Sequence, residues 1–407
     1  MKKGFIAVAM MAATALIGFS ANLHSNSDKR YWAHIKAKDK FERSMIAMSG
    51  ASIERVIDDS VYVIADRESF DLLKAKHKVI ESFELSVDMF DFPAEDSRFH
   101  NYQELVDELN VLHSQAPDIT QLESIGESNE GRKIYRLSLS ENLTSKDLPA
   151  IVFMGGHHAR EHLSVDIPLK FIQLLLEKYK SGDEQVRRLF ATRQIHFIPM
   201  VNPDGAEYDL REDRYWMWRK NTRGNKDGSR GVDLNRNYGF QWGTGGSSKR
   251  PSSDVYMGPE PFSEPETRAI RDFVNANDTQ LTTLVSFHTF SELILYPWGH
   301  SFDPISNDSA FRVHKRMAET MAAWNGYKPE QSSDLYIASG DTTDWSYGEK
   351  GIISFTFELD PSSMWDGGFY PGESRIDMAF NKNIKPVMYL IENADNPYKV
   401  LNSDSAF

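Results

Sequence analysis

The sequence predicts an α/β fold with a largely parallel or mixed sheet, preceded by a small α+β unit. Three observations carry that prediction. From residue 101 onward, short apolar runs alternate with amphipathic stretches over roughly 300 residues, the pattern of strands joined through helices. One of those runs, residues 150–154, is wholly apolar and feeds into Gly155-Gly156, as a buried strand entering a turn does. Ahead of these, residues 22–95 show a strand–helix–strand–strand–helix–strand order of their own, that of an open-faced sandwich. At 407 residues the chain exceeds one comfortable core, which suits one large domain and a smaller one.

Taken in order, residues 1–21 begin Met1-Lys2-Lys3 and continue as a small-and-apolar run, which reads as a bacterial secretory signal peptide. The expected location is therefore secreted or periplasmic, with no membrane anchor. The formal net charge of −13 argues against nucleic acid or an anionic membrane surface as partners. There is no cysteine, which excludes disulfides, thiolate zinc sites and cysteine nucleophiles.

In the small unit, strands are expected over 31–36, 53–57, 61–65 and 78–83, with helices over 41–48 and 68–75. It holds no cluster of catalytic residue types. An acidic, irregular stretch over 87–98 comes next and reads as an exposed linker. A catalytically empty domain between a leader and a second domain reads as a propeptide, here residues 22–97, with residues 98–407 as the catalytic domain and a cut near Arg98. The larger domain opens with a helix over 102–112 and strands over 121–125 and 133–139. After the strand at 150–154 come a helix over 165–179, a strand over 194–201 and a turn at Asn202-Pro203-Asp204-Gly205. Ser263-Glu264-Pro265-Glu266 reads as a capping box opening a helix to about residue 275. Strands over 282–287 and 353–357 and a helix over 376–394, bent or broken at Pro386, complete the set.

The chemistry concentrates where strands end. Gly155-Gly156-His157-His158-Ala159-Arg160-Glu161-His162 places three histidines, an arginine and a carboxylate directly after the 150–154 strand. His288 and Glu358 come after the two later strands, and sites in open α/β sheets form beyond the carboxyl ends of strands. A catalytic zinc site takes three protein ligands and keeps one open position. His158 and Glu161, three apart, can face one side of a turn, and His288 is a natural third ligand. The same stretch also matches H-x-x-E-H, which would make His162 a ligand and Glu161 the base. That pairing needs a continuous helix where the glycines suggest a loop, and it leaves His288 and Glu358 without a task. Arg219 and the Asn235-Arg236 pair lie in a long turn-rich region, and an arginine there is suited to bidentate capture of a carboxylate. Asp233 suits the free N–H of a ligand histidine.

Seven stretches in order resemble the zinc metallocarboxypeptidases related to pancreatic carboxypeptidase A. They are Gly156-His157-His158-Ala159-Arg160-Glu161, Trp218-Arg219-Lys220, and residues 231–237, 258–267, 288–297, 339–347 and 355–359, spread across about residues 98–395. The resemblance implies a mixed eight-stranded twisted sheet flanked by helices, and one zinc ion held by His158, Glu161 and His288. It makes Glu358 the general base, and Arg219 the group that polarises the scissile carbonyl. Asn235 and Arg236 would hold the substrate's terminal carboxylate, Tyr336 close over the bound residue, and Arg160 assist further along the groove. Asp233 would support His158. The implied partners are peptide or protein C-termini and the chain's own prodomain.

Two departures bear on selectivity. Phe290 stands where many relatives carry tyrosine. Thr343 occupies the pocket position where relatives that cut after basic residues carry aspartate and those preferring apolar residues carry isoleucine. Asp341, two residues earlier, offers a negative charge and Gly299 leaves room, so the expectation is broad selectivity, apolar and aromatic with some basic residues accepted. The alternative within the same zinc chemistry is a peptidase of bacterial cell-wall peptides joined through a diamino acid. A binding module that has lost catalysis should lack the base or the oxyanion arginine, and both are present.

Overall fold

The computed structural model describes residues 30–85, 96–211, 215–277 and 279–402. The expected leader and most of the expected linker lie outside the described residues. The small unit comprises β1 (Arg30–Lys36), β2 (Ser52–Ile57), β3 (Ser60–Asp66) and β4 (Val79–Leu85), in the order β2-β3-β1-β4 with every pair antiparallel. Helices Lys40–Ala47 and Arg67–Lys76 start at Asp39 and Asp66, whose carboxylates accept first-turn N–H groups. They bury Ile46, Phe70 and Leu73 against Ile35, Val61 and Val63 of the sheet. The βαββαβ order expected from the sequence is present.

The large sheet contains β5 (Thr120–Glu127), β6 (Lys133–Leu139), β7 (Ala150–Met154), β8 (Gln194–Ile198), β9 (Leu281–Thr289), β10 (Leu293–Tyr296), β11 (Lys328–Gln331) and β12 (Ile353–Leu359). Its order is β11-β10-β12-β9-β7-β8-β6-β5, with the four central strands β12, β9, β7 and β8 parallel. It is the mixed eight-stranded sheet that the resemblance implied. Each central strand is buried on both faces, because side chains alternate between two cores. On β7, Ile151 and Phe153 join the core under helices Leu163–Lys180, Asp308–Asn325 and Ser374–Asn393. Val152 and Met154 point the other way, towards Ile270, Phe273 and Trp345 of helices Pro265–Ala276 and Thr342–Lys350. Burying each large apolar side chain contributes about 1.5–3 kcal/mol, so two filled faces hold these strands rigidly.

Several local expectations differ from what forms. Asn202-Pro203-Asp204-Gly205 opens the short helix Pro203–Asp209, with Asn202 as its cap, rather than a turn. Asparagine and proline suit a turn and a first helical turn equally, and the tertiary setting decides. The capping box at residues 263–266 does not form: Glu264 takes the cap position without a side-chain bond. The Glu266 carboxylate instead accepts the Asn129 N–H at 3.0 Å. Pro386 lies inside helix Ser374–Asn393 without ending it. At the far end of the linker Ser97 and Arg98 are exposed, as expected, but Asp96 is not. Asp96 is buried, accepting from the Tyr215 hydroxyl at 3.2 Å and the Glu373 N–H at 3.0 Å, and Arg98 forms a two-pronged pair with Asp377.

A sharp reversal after β7 sets the direction of residues 157–162. Gly156 has φ +64°, a left-handed conformation that glycine adopts without strain. A Cβ on Gly155 would sit 1.9 Å from the Ser164 carbonyl oxygen, so the chain folds back on itself here only because that position carries no side chain. Gly155→Ala should therefore destabilise the protein by about 3 kcal/mol or more in denaturant unfolding. Gly224→Ala, a position with nothing within 4 Å, should change stability by less than about 0.5 kcal/mol.

Candidate active site and zinc centre

Three parallel strands deliver the site. Residues 157–162 form a turn between β7 and the helix Leu163–Lys180, while His288 and Glu358 sit side by side in register near the ends of β9 and β12. Both lie within their strands rather than after them, which fixes their direction through the sheet's own ladder.

His158, Glu161 and His288 converge and are all buried. His158 Nδ1 lies 2.7 Å from Glu161 Oε1, and His288 Nδ1 lies 2.9 Å from Glu161 Oε2. The two Nδ1 atoms face each other at 3.1 Å. Burial, reinforced by the Arg219 charge, pushes the His158 imidazole down to about 4 and that of His288 to about 3, so both are neutral near pH 7. Their outer nitrogens face outward: His288 Nε2 meets Ser286 Oγ at 3.0 Å, and His158 Nε2 lies 3.2 Å from Asp233 Oδ1, an ion-pair distance without hydrogen-bond geometry. With the N–H groups turned outward, two Nδ1 lone pairs and a carboxylate point at one spot. That donor set fits zinc with an open fourth position. His162 turns away, its Nε2 2.9 Å from Asp209 Oδ2.

Around this centre lies a cavity of about 500 Å³ whose lining includes Arg219, Asn235, Arg236, Asp341, Thr343 and Glu358. Arg219 Nε donates to Asp233 Oδ2 at 3.0 Å. Burial opposes its charge, but Asp233, Glu54 and Glu161 outweigh it and keep the guanidinium protonated. The Glu358 carboxyl is pushed well above its ordinary range, first by burial and then by the nearby Glu161, with Arg219 partly countering. Arg236 is held by its own neighbours, donating from Nη1 to the Asn235 carbonyl at 2.7 Å and from Nε to the Gly246 carbonyl at 3.2 Å. Asp341 caps helix Thr342–Lys350, its Oδ1 accepting from Thr343 and Asp344 N–H at 3.0 and 2.9 Å. Its Oδ2 is buried and has no hydrogen-bond partner among the described residues. Burial, with Asp344 adding, raises its carboxyl to about 7.

Two of the expected groove residues meet the small unit. Arg160 Nη2 donates to Glu54 Oε1 of β2 at 2.7 Å and stacks over Phe369 at 4.4 Å. The Tyr336 hydroxyl donates to the Ile53 carbonyl at 3.4 Å. Ile53 and Glu54 line the same cavity as the zinc-binding cluster. Sequence reasoning missed Glu54, which sits in an ordinary strand pattern 106 residues from its partner. It also passed over Thr342 and Ser286, whose polar contacts exist only in the folded chain. A stripe of lone polar residues inside apolar strands was the available signal for Ser286.

Comparison with known proteins fits this arrangement. The chain is 32% identical over 430 residues to a zinc carboxypeptidase of Saccharothrix mutabilis subsp. capreolus, covering 97% of each chain. It is 31% identical over 283 residues to carboxypeptidase B of Astacus astacus, covering 68% of this chain and 91% of that one. Among solved structures, carboxypeptidase A of Helicoverpa armigera superposes with a TM-score of 0.74 at 21% identity, over 93% of this chain and 99% of that one, a likeness of fold. A family profile described as zinc carboxypeptidase matches residues 105–385, the stretch that builds both the sheet and the converging cluster, and the chain therefore belongs to the zinc carboxypeptidase family, hydrolases that use one zinc ion.

Proposed function

We propose that the protein is an exported zymogen that removes single amino acids from the C-termini of peptides and proteins. The observation that carries this reading is the placement of Asn235 and Arg236 in the same cavity as the His158–Glu161–His288 cluster and Glu358. Zinc held by those three ligands would supply a Lewis acid for water and for the scissile carbonyl. Glu358 takes the proton of the attacking water and passes it to the leaving amine. Arg219, fixed through Asp233, stabilises the oxygen on which negative charge develops.

Arg236 and Asn235 make the enzyme an exopeptidase. They demand a carboxylate one residue beyond the cleaved bond, and Tyr336 closes over that residue. A substrate without the carboxylate leaves the buried Arg236 charge with carbonyl partners but no counter-ion from the substrate, which costs binding and orientation together. Asp341 Oδ2 and Thr343 support broad selectivity, apolar and aromatic, with lysine or arginine accepted. Gly299 keeps that part of the pocket open: a Cβ there would lie 3.2 Å from Asp341 Oδ2. Arg160 binds further along the substrate chain.

The zymogen reading rests on β2, which lines the cavity and pairs Glu54 with Arg160, so the small unit occupies the substrate's path. A cut ahead of Asp96 would release that unit and leave the Asp96 and Arg98 anchors in place. Export rests on the predicted leader; among the described residues no helix is long and apolar enough to cross a membrane.

After maturation by limited proteolysis, blocked dipeptides with a free C-terminus should be cut at least about 100-fold more efficiently than their amides. Equal kcat/KM for the two sets would remove the exopeptidase reading and favour an amidase or endopeptidase. Glu358→Gln should lower kcat by at least about 1000-fold while metal analysis still finds close to one zinc per chain. Retained turnover in that variant would exclude Glu358 as the base.

A further inference from the structure

His157 belongs to neither the metal cluster nor the substrate cavity, yet it is fully buried between them. Its Nδ1 lies 3.3 Å from Ser286 Oγ, and Ser286 Oγ lies 3.0 Å from His288 Nε2. On the other side of the ring, His157 Nε2 lies 3.2 Å from Thr342 Oγ1 and 2.9 Å from the Tyr238 hydroxyl. Thr342 Oγ1 donates to Asn235 Oδ1 at 2.9 Å, and the Thr342 backbone N–H donates to the same oxygen at 3.0 Å. Side chains from β7's turn, β9 and helix Thr342–Lys350 thus form one unbroken line of contacts from a metal-binding histidine to the carboxylate-binding asparagine.

The direction of every hydrogen in this line is set from its two ends. At one end His288 must keep the Nδ1 lone pair for the metal cluster, so its proton sits on Nε2 and is donated to Ser286 Oγ. Ser286 has then used an acceptor site and gives its own hydrogen to His157 Nδ1, which places the His157 proton on Nε2. At the other end the Thr342 N–H can only donate, so the group it meets on Asn235 must be the carbonyl oxygen. The Asn235 NH₂ therefore points away from Thr342, and the Thr342 hydroxyl, also a donor to Oδ1, is left to accept from His157 Nε2. The His157 Nε2 hydrogen is shared between Thr342 Oγ1 at 3.2 Å and the nearer Tyr238 hydroxyl at 2.9 Å, both able to accept it, so the two assignments meet there without conflict.

We propose that Ser286, His157 and Thr342 are positioning residues forming a directed hydrogen-bond chain, which reinforces the Nε2–H tautomer of His288 and, beside the Thr342 backbone N–H, the amide orientation of Asn235. The inference deepens the carboxypeptidase reading and rests on Asn235 binding the terminal carboxylate. The amide is what needs fixing, since a flipped Asn235 would present an oxygen to the substrate carboxylate and repel it. Thr342 is buried and does not line the cavity, so its effect on substrate must pass through Asn235.

The test uses the full chain, matured by limited proteolysis, with Thr342→Val, Thr342→Ser and Ser286→Ala. Thr342→Val keeps shape and loses the hydroxyl. It should raise KM for peptides with a free C-terminus about fivefold, leave kcat within about twofold, and lower the free-to-amide preference by the same factor. Thr342→Ser restores the hydroxyl and should restore the preference. Ser286→Ala should weaken zinc about tenfold in competition with a chelator, a measurement independent of turnover. A Thr342→Val enzyme with the preference of the wild type, or a Thr342→Ser enzyme that loses it equally, overturns the clamp end of the chain. Unchanged zinc affinity in Ser286→Ala overturns the metal end. If the wild type itself shows no preference for free C-termini, the underlying carboxypeptidase reading fails instead. Thermal unfolding of each variant separates loss of fold from loss of positioning.

Discussion

The Asp233 carboxylate is buried and meets three parts of the site at once. One oxygen accepts Arg219 Nε at 3.0 Å; the other accepts the Asn235 backbone N–H at 3.0 Å and faces His158 Nε2 at 3.2 Å. Removing a carboxylate from water costs several kcal/mol unless charge and hydrogen bonds replace the water. Here burial alone would raise the group, but Arg219 and His158 outweigh it and hold Asp233 well below the usual carboxylate range. The arrangement repays its desolvation only when all three partners are in place. His158, Arg219 and Asn235, proposed above as zinc ligand, oxyanion cation and carboxylate clamp, are thus held in one relative geometry. Breaking it from either side would strand a buried charge, a loss of about 3–5 kcal/mol.

That lock works because the sheet brings the remaining groups to it. β12, β9 and β7 run parallel, so their carboxyl ends share an edge, and the residues they deliver arrive from sequence positions two hundred apart without any local signal joining them. Full burial on both faces of these strands keeps their ends from drifting. The glycine pair after β7 lets the chain reverse tightly enough for the next turn to face His288. The small unit then meets the finished cleft through Glu54, which pairs with Arg160, the residue proposed above to bind further along the substrate chain.

Which features were legible in the sequence depends on which forces are local. The clustered His158 and Glu161 stood out because titratable groups rarely crowd the end of an apolar strand. His288 and Glu358 stood out because each directly follows a strand-like run, 282–287 and 353–357, at the place where a strand end delivers a site. The sheet's central strands were readable from continuous apolar runs, whereas β10 and β11, four residues each, carry too little pattern, and β11 even contains Pro329. Failures came where a local motif met a stronger tertiary demand. Glu266 left its capping box for the Asn129 N–H, and the turn residues at 202–205 became a helix start. Contacts such as Glu54 with Arg160, or Thr342 with Asn235, have no sequence signature because neither partner is unusual where it stands.

In the proposed function, metal chemistry and a carboxylate clamp act in one cavity on the last residue of a chain. The most direct measurement is mass spectrometry of an unblocked peptide incubated with the matured, zinc-loaded protein. The structure predicts a ladder of products shortened one residue at a time from the C-terminus, with the N-terminus intact. Internal fragments, or loss of residues from the N-terminus, would contradict it.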